Sequence, residues 1–230
     1  MTDPVPVITV DGPSGVGKGT LCQWLALRLG WHLLDSGALY RLTALAALHR
    51  GLALSDEAAV AAVATALDVA FLPGADEMRI LLDGAEVGAV LRSEATGDAA
   101  SRVAALPAVR AALLQRQRDL RRLPGLIADG RDMGTVVFPD AGLKLFLTAS
   151  AAERAQRRYK QLIEKGMNAN LAGLAEEIAA RDARDAQRTV APLRPATDAE
   201  MLDTTGMPIA RVCEWALMLA ARRLSIPVIP

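Results

Sequence analysis

A glycine-rich run near the start of the chain has residue types suited to binding a phosphate group. It follows an apolar run, residues 7–10, that predicts a buried strand, and precedes residues 21–29, which predict a helix. The glycines let backbone N–H groups turn toward one anion, and Lys18 adds a charge that reaches the β- and γ-phosphates of a nucleotide. A strand-to-helix turn without a ligand is the simpler alternative. The predicted phosphate-binding loop consists of Gly12, Pro13, Ser14, Gly15, Val16, Gly17, Lys18, Gly19 and Thr20.

The position after the lysine departs from the usual loop pattern, in which a serine or threonine there ligates Mg²⁺. Gly19 stands at this position, and the hydroxyl group comes one residue later, at Thr20. We therefore predict Thr20 as a metal ligand, either directly or through a water molecule.

A second charged group follows residues 126–129, an apolar run that predicts another buried strand. Asp129 ends that run, and Gly130, Arg131 and Asp132 come directly after it. Ligands of open α/β sheets bind at the carboxyl ends of the strands, so these side chains are expected in the ligand cleft. Asp129 is suited to hold Mg²⁺ beside the phosphates. An ordinary Asp-Gly turn that ends a strand is the alternative.

Arginines gather on one face of a predicted helix, residues 174–188. Arg181, Arg184, Asp185 and Arg188 are spaced i, i+3, i+4 and i+7, and they therefore share that face. One aspartate does not balance three arginines, and a polyphosphate is a suitable partner for the excess positive charge. The alternative is a solvated face with salt bridges to nearby acids.

Two further groups of polar and basic residues lie on predicted helices. The first group lies at the start of a helix after residue 35 and consists of Ser36, Tyr40 and Arg41. The second lies on a polar helix suited to close over a nucleotide as a lid, and consists of Arg154, Arg157, Arg158 and Lys160. A switch protein needs one phosphate site, whereas phosphoryl transfer to a phosphorylated acceptor needs two. The basic groups therefore favour a kinase that acts on an anionic small molecule.

The composition limits the classes of protein to which the chain can belong. The 230 residues fit one large domain, and 26 Lys+Arg balance 26 Asp+Glu, so no global charge attracts nucleic acid or an anionic membrane. Cys22 and Cys213 lie in separate predicted helices and show no disulfide or metal-ligand spacing. There is no signal-peptide pattern and no run near the roughly 18 apolar residues of a membrane span. We expect a soluble, cytoplasmic protein.

Predicted strands alternate with predicted helices, which indicates an α/β fold with a parallel central sheet in three layers. Strands are predicted at residues 7–10, 32–35, 126–129, 143–147 and 201–203. Helices are predicted at residues 22–29, 38–49, 56–67 with Ser55 as cap, 93–106, 107–122, 151–165, 174–188 and 208–224. Residues 68–90 differ, because short strand-like pieces separated by Pro73-Gly74 and Asp83-Gly84 predict a small antiparallel insertion.

Four segments together resemble the bacterial cytidylate kinases, which are P-loop nucleoside monophosphate kinases. They are the loop at residues 12–20, residues 34–41 (Leu-Asp-Ser-Gly-Ala-Leu-Tyr-Arg), residues 127–139 (Ile-Ala-Asp-Gly-Arg-Asp-Met-Gly-Thr-Val-Val-Phe-Pro) and residues 181–185 (Arg-Asp-Ala-Arg-Asp). The resemblance runs nearly end to end. It implies a three-layer P-loop kinase fold with a single domain over residues 1–230. Within that domain it implies an NMP-binding insertion at residues 68–90, flanked by helices to about residue 122, and a helical lid at residues 151–170.

The resemblance also implies transfer of the γ-phosphoryl group of ATP to CMP or dCMP, giving CDP or dCDP, with Mg²⁺ held by Thr20 and Asp129. The expected catalytic residues are Lys18, Asp129, Arg131, Arg158 and Arg188. The expected contacts of the CMP phosphate are Ser36, Arg41, Arg131 and Arg188, with Tyr40 nearby. The ribose hydroxyls are expected to contact Asp185, with Arg181 nearby. The cytosine edge is expected to contact Ser101, Arg110 and Asp132. Cytosine offers an N4 donor and two acceptors, which these side-chain types match.

Two other functions stay open at this stage. A kinase for another monophosphate, UMP or AMP, would share the architecture and differ in the base contacts. A nucleotide-dependent switch is the alternative from another class, and it is disfavoured because neither an Asn-Lys-x-Asp nor a Leu-Ser-Gly-Gly motif is present. We expect a monomer whose partners are small-molecule substrates, with no nucleic acid and no membrane.

Overall fold

The computed structural model describes residues 5–72, 79–164, 166 and 168–226. Its chain divides into two compact units, Met1–Asp35 with Arg118–Pro230, and Ser36–Gln117. The strands are β1 (Val7–Asp11), β2 (His32–Asp35), β3 (Val69–Leu72), β4 (Arg79–Leu82), β5 (Ala85–Glu86), β6 (Leu126–Gly130), β7 (Leu143–Thr148) and β8 (Glu200–Asp203). The helices are α1 (Lys18–Leu29), α2 (Ser36–His49), α3 (Glu57–Thr65), α4 (Gly88–Leu91), α5 (Glu94–Val103), α6 (Pro107–Arg118), α7 (Ala151–Glu164), α8 (Leu171–Gln187) and α9 (Ile209–Leu224), with a π-helix at Met133–Val137.

The first unit is built on a five-stranded parallel sheet in the order β2-β6-β1-β7-β8, which confirms the predicted parallel sheet. All five residues of β1 are buried, as expected for a central strand rich in β-branched side chains. Because the strands are parallel, the loops that follow β1, β6 and β7 leave the sheet at the same edge. This edge receives the phosphate-binding loop after β1 and the charged residues after β6.

The two faces of the sheet are covered by different elements. Ile8 and Val10 belong to a buried apolar cluster with residues of α1 and α9, among them Leu25 and Ala216. Thr9 lies between them and points to the opposite face, because neighbouring side chains of a strand alternate. The π-helix packs on β1 at that opposite face, so the sheet has helical segments on both sides.

The second unit, Ser36–Gln117, combines helices with a small three-stranded antiparallel sheet, β3-β4-β5, which confirms the predicted antiparallel segment. Asp83 and Gly84 both have positive φ, 48° and 80°, the type I′ geometry favoured in two-residue hairpins. The predicted turn at Pro73-Gly74 lies outside the described residues. The unit has its own apolar cluster, drawn from α2, α3, α4 and β4, which includes Leu42, Val63, Leu82 and Leu91.

Several element boundaries differ from the prediction for local reasons. Helix α1 begins at Lys18, directly after Gly17 in left-handed geometry, and ends before Gly30 as predicted. Asp56 caps α3 instead of Ser55, because its carboxylate accepts a hydrogen bond from the backbone of Ala59. Asn170 caps α8 in the same way, so this helix starts at residue 171 instead of 174. The short helix α4 and the π-helix were not predicted. No helix among the described residues is long and apolar enough to cross a membrane.

Candidate active site

The loop after β1 takes a conformation that only glycine allows at its key positions. Gly12, Gly15 and Gly17 have φ values of 145°, 78° and 94°. A Cβ atom on Gly12 would lie 2.2 Å from the backbone oxygen of Leu147, and one on Gly15 would lie 3.0 Å from Arg154 Cβ. The loop thus lies directly against β7 and α7, and its glycines allow the left-handed backbone conformations typical of anion-binding loops. Phosphate binding by this loop stays a prediction.

Lys18 is buried at the start of α1, and its Nζ donates a hydrogen bond of 2.8 Å to the carbonyl oxygen of Pro13 in the same loop. Burial, with the nearby Arg131, lowers the pKa of Lys18 to about 8, while Asp129 acts in the opposite direction. Arg181 also lowers this pKa. An anion bound in the loop would offset the mutual repulsion of these cations and stabilise the charged ammonium group.

The polar side chain of Ser14 also fits a phosphate ligand. Its Oγ is buried, and no group among the described parts of the chain lies within hydrogen-bonding distance of it. Buried hydroxyl groups normally have a hydrogen-bond partner, and a phosphate oxygen in the loop would supply one. The residues present therefore fit a nucleotide phosphate.

Asp129 and Thr20, the predicted metal ligands, lie on neighbouring elements of the first unit. A Cβ atom on Gly19 would lie 3.6 Å from Asp129 Oδ2, so this carboxylate lies beside the first turn of α1. Thr20 is exposed on that turn, and Asp129 is half-buried. Carboxylate and hydroxyl oxygens are hard ligands of the kind that Mg²⁺ prefers together with phosphate oxygens. The donor set fits Mg²⁺, although Gly19 itself offers no side-chain ligand.

Two of the predicted lid arginines hold the phosphate-binding loop through its backbone. Arg154 Nη1 donates to Ser14 O at 3.1 Å and to Asp182 Oδ1 at 3.1 Å, and its Nη2 donates to Asp182 Oδ2 at 2.5 Å. Arg157 Nη2 donates to Thr204 O at 2.6 Å, and its Nη1 lies 3.5 Å from Val16 O. The structure thus gives α7 a supporting role at the loop that the charge pattern did not predict.

Arg158, the predicted catalytic residue of this helix, has a different setting from its two neighbours. Its Nη1 donates to Gln161 Oε1 at 3.3 Å, about one turn further along α7. Lys160 is exposed on the same helix. The role of Arg158 at the phosphoryl group stays a prediction.

The charged residues after β6 meet the arginine-rich face of α8. Arg131 Nε donates to Asp185 Oδ2 at 2.9 Å, and Asp185 is buried. Burial raises the pKa of Asp185, but Arg131, Arg188 and Arg181 outweigh that effect and hold the pKa below its usual value. The two groups predicted from separate parts of the sequence therefore form one cluster, in which cations outnumber the carboxylate.

One residue of this region was missed by the sequence analysis. The carboxylate of Asp11, the last residue of β1, accepts hydrogen bonds from the backbone N–H groups of Met133 at 2.9 Å and Gly134 at 2.8 Å. Burial raises the pKa of Asp11 to about 7, although these two hydrogen bonds and Lys18 act to lower it and Asp132 to raise it. The feature of the sequence that could have indicated this residue is an acidic side chain directly after the buried run at residues 7–10.

The remaining predicted substrate residues lie in the unit Ser36–Gln117. Ser36, Tyr40 and Arg41 lie on α2, and Ser36 and Tyr40 are buried there. Ser101 is buried on α5, and Arg110 is buried on α6. The guanidinium carbon of Arg110 lies 5.7 Å from the centre of the Tyr40 ring, in cation–π range, and Arg110 Nη1 donates to Ala104 O at 3.3 Å. The structure brings Tyr40 and Arg110 together inside this unit.

The chain is similar in sequence to known proteins. A family model described as "Cytidylate kinase" matches residues 8–222. The cytidylate kinase of Pseudomonas aeruginosa is 60% identical over 216 residues, which are 93% of this chain and 94% of that protein. The cytidylate kinase of Aeromonas salmonicida is 56% identical over 224 residues, 97% of each chain. Among solved structures, a gluconokinase from Sinorhizobium meliloti 1021 aligns with a TM-score of 0.48 and 15% identity over 95% of this chain and 93% of that one.

Proposed function

Since this chain belongs to the cytidylate kinase family, we propose that it transfers the γ-phosphoryl group of ATP to CMP or dCMP, giving ADP and CDP or dCDP. One observation carries the proposal furthest. Lys18 of the phosphate-binding loop lies close enough to Arg131 and Arg181 for both cations to lower its pKa. In a reaction between two phosphorylated molecules, the phosphate groups supply the negative charge that offsets these cations.

Phosphoryl transfer requires the protein to position the two substrates and to offset the developing negative charge. It does not require a covalent nucleophile. A phosphate oxygen of CMP attacks the γ-phosphorus of ATP in line with the departing ADP oxygen. Lys18 and the backbone N–H groups of the loop hold the ATP phosphates, and Arg131 and Arg188 hold the acceptor phosphate. Arg158 is proposed to add positive charge at the transferring group. Mg²⁺, when bound, offsets charge on the phosphate oxygens.

Thr20 and Asp129 are the residues that we propose to hold Mg²⁺. Thr20 is exposed at the first turn of α1, and the Asp129 carboxylate lies beside that turn. Asp129 also acts on Lys18, because it raises the pKa of that lysine and so favours its charged form. The carboxylate thus serves both the metal and the lysine.

Base recognition is proposed for Asp132 in the first unit and for Ser101 and Arg110 in the unit Ser36–Gln117. Asp132 is buried, and a carboxylate accepts the N4 hydrogen bond that cytosine donates and uracil does not. Tyr40 and Ala104 O hold Arg110, so the plane of its guanidinium group has a fixed direction. A buried carboxylate such as that of Asp132 disfavours a base that leaves it unpaired. Asp185 is proposed to meet the ribose hydroxyls.

The experiment that tests the function is ADP production from ATP and Mg²⁺ with CMP, dCMP, UMP, AMP and GMP offered separately. Turnover with CMP and dCMP alone is the expected result. Comparable turnover with UMP or AMP would keep the kinase and overturn the base contacts. No acceptor-dependent ADP with any of the five would overturn the kinase itself.

Asp132→Ala tests the base contact directly. We expect KM for CMP to rise about tenfold to a hundredfold, since a polar contact to the base is worth ~1–3 kcal/mol, while KM for ATP stays nearly unchanged. An equal rise of both KM values would remove Asp132 from base recognition. Asp119→Ala is the matched control, since Asp119 carries the same group at an exposed position that has no proposed base contact.

A further inference from the structure

The π-helix after β6 begins at a carboxylate supplied by the end of β1. Asp11 is almost fully buried, at 4% exposure, and its two oxygens each accept one backbone N–H, from Met133 and from Gly134. These N–H groups belong to the first turn of the helix, where no intrahelical acceptor exists for them. Asp11 thus supplies the hydrogen bonds that the π-helix cannot make for itself.

The same turn is fixed by Asp132 through the backbone. The carbonyl oxygen of Asp132 accepts hydrogen bonds from Val136 N at 2.9 Å and from Val137 N at 3.2 Å, the second of which closes the wide π turn. The position of the Asp132 backbone is therefore tied to the direction of the turn that Asp11 holds. π-Helices are rare and are often found at functional sites.

Close packing leaves this helix little freedom on its other sides. A Cβ atom on Gly134 would lie 2.9 Å from Thr9 Oγ1 and 3.1 Å from Lys144 Cδ. Beyond the helix, Lys144 Nζ donates to Pro139 O at 2.7 Å and to Asp198 Oδ1 at 2.9 Å. The segment from residue 133 to 139 is thus held at its start by Asp11 and at its end by Lys144.

We propose that Asp11 is a positioning residue for the acceptor nucleotide, because its carboxylate fixes the turn that sets the positions of Arg131 and Asp132. The inference rests on the proposed roles of those two residues in binding CMP. Asp11 is also the residue directly before Gly12, so one residue joins the phosphate-binding loop to the turn that carries the acceptor contacts. A shift of about 1 Å in such contacts lowers the rate about a hundredfold.

The first test compares Asp11→Asn with the wild type. The amide keeps one acceptor oxygen, but its NH₂ group faces the second backbone N–H, so a donor meets a donor. We expect KM for CMP to rise at least about tenfold and the preference for CMP over UMP to fall, with KM for ATP within about twofold of the wild type. Unchanged KM for CMP and unchanged base preference would overturn the proposal.

Lys144→Met is the matched control, because it removes the anchor at the far end of the same segment. We expect it to lower the melting temperature without a selective effect on CMP. If both variants raised the two KM values in parallel, Asp11 would be a structural residue only, and the proposal would fail.

Asp132→Ala separates this inference from the proposed function. If Asp132→Ala weakens CMP binding and Asp11→Asn does not, the base contact stands and the positioning role is wrong. If Asp132→Ala leaves KM for CMP unchanged, the proposed base contact is wrong. The positioning role of Asp11, which acts through that contact, is then wrong as well.

Amide hydrogen exchange of the wild type needs no variant, and so it can overturn the proposal even if Asp11→Asn does not fold. The N–H groups of Met133 and Gly134 are expected to exchange as slowly as those of β1. Fast exchange of both would show that the carboxylate does not hold the turn.

Discussion

Arg131 Nε lies 2.9 Å from Asp185 Oδ2, and this contact joins the end of β6 to the last turns of α8. Both side chains are largely buried, with 18% and 5% exposure. Asp185 also lies in the field of Arg181 and Arg188, since both lower its pKa. The carboxylate therefore holds together cations that would otherwise repel one another.

Asp185→Ala is expected to lower the free energy of unfolding at pH 7 by about 3–5 kcal/mol, the usual cost of removing one partner of a buried pair. Urea denaturation at equilibrium measures it. Glu200→Ala is the control, because the exposed Arg223–Glu200 pair, at 2.5 Å, is expected to contribute less than about 1 kcal/mol. Equal losses in the two variants would contradict the stated role of Asp185.

The same carboxylate predicts a pH dependence of stability. The folded protein holds the pKa of Asp185 below its ordinary value, so the unfolded state takes up the proton first as the pH falls. The stabilisation is therefore complete above the unfolded pKa, about 4, and is lost as the pH falls toward the folded pKa. We expect the stability difference between the wild type and Asp185→Asn to shrink below pH 4 and to stay constant between pH 5 and 7, as followed by denaturation at each pH. A difference that grew on acidification would contradict this assignment.

Lys18→Met is expected to abolish most activity while it stabilises the fold. At pH 7 the buried ammonium group destabilises the folded state, because burial lowers the pKa of Lys18 to about 8. A gain in the free energy of unfolding should therefore accompany a fall in kcat of several orders of magnitude. Calorimetry and a turnover assay on the same sample check both parts, and an unchanged kcat would sink the assignment of the loop.

The gain in Lys18→Met should also depend on pH in a definite direction. Between pH 8 and the ordinary lysine pKa the unfolded wild type binds more protons than the folded protein, so wild-type stability rises with pH. The advantage of the variant is therefore expected to fall as the pH rises above 8. A constant advantage from pH 7 to pH 10 would mean that Lys18 is not the titrating group.

Gly12→Ala is expected to disrupt the loop, because the added methyl group would lie 2.2 Å from Leu147 O, on a rigid strand. We expect loss of ATP binding together with a stability loss above about 3 kcal/mol. Gly30→Ala is the control, with φ of 65° and nothing within 4 Å of its added Cβ. Its cost should be only the left-handed backbone strain, about 1–2 kcal/mol, with ATP binding intact. Calorimetric titration of ATP distinguishes the two, and intact binding in Gly12→Ala would contradict the close approach to β7.

Arg154→Lys tests whether α7 supports the phosphate-binding loop. Lysine keeps the charge but loses the paired hydrogen bonds to Asp182 and the contact with Ser14 O. We expect KM for ATP to rise about tenfold, with KM for CMP nearly unchanged. Arg223→Lys, at an exposed pair, should change neither constant, and an unaltered KM for ATP in Arg154→Lys would show that the loop holds its shape alone.

The sequence predicted the phosphate-binding loop because its signal is local. Nine consecutive residues, which follow β1 and run into the first turn of α1, carry the glycines, the lysine and the hydroxyl groups of the pattern. The parallel sheet followed from alternating strands and helices. Helix starts were less predictable, since neighbouring polar residues compete as caps, and Asp56 takes the role expected of Ser55.

The partnership of Asp11 with the π-helix could not be predicted in this way. It joins groups more than a hundred residues apart, and no hydrophobic period marks a π turn. Ser101 and Arg110 are single polar residues on helices with no motif around them, so only resemblance to a family singled them out. Arg154 was expected at a phosphate group, and the backbone of Ser14 as its partner depends on tertiary packing.

The unit Ser36–Gln117 is one uninterrupted stretch of chain that leaves the parallel sheet after β2 and returns before β6. It carries its own apolar cluster and its own share of the proposed acceptor contacts. Two recombination points in the gene therefore suffice to exchange it as a cassette, while the phosphate-binding loop and every strand of the parallel sheet are inherited intact. Such an exchange would replace Ser101 and Arg110, whereas Asp132 and Asp185 would stay with the parallel sheet.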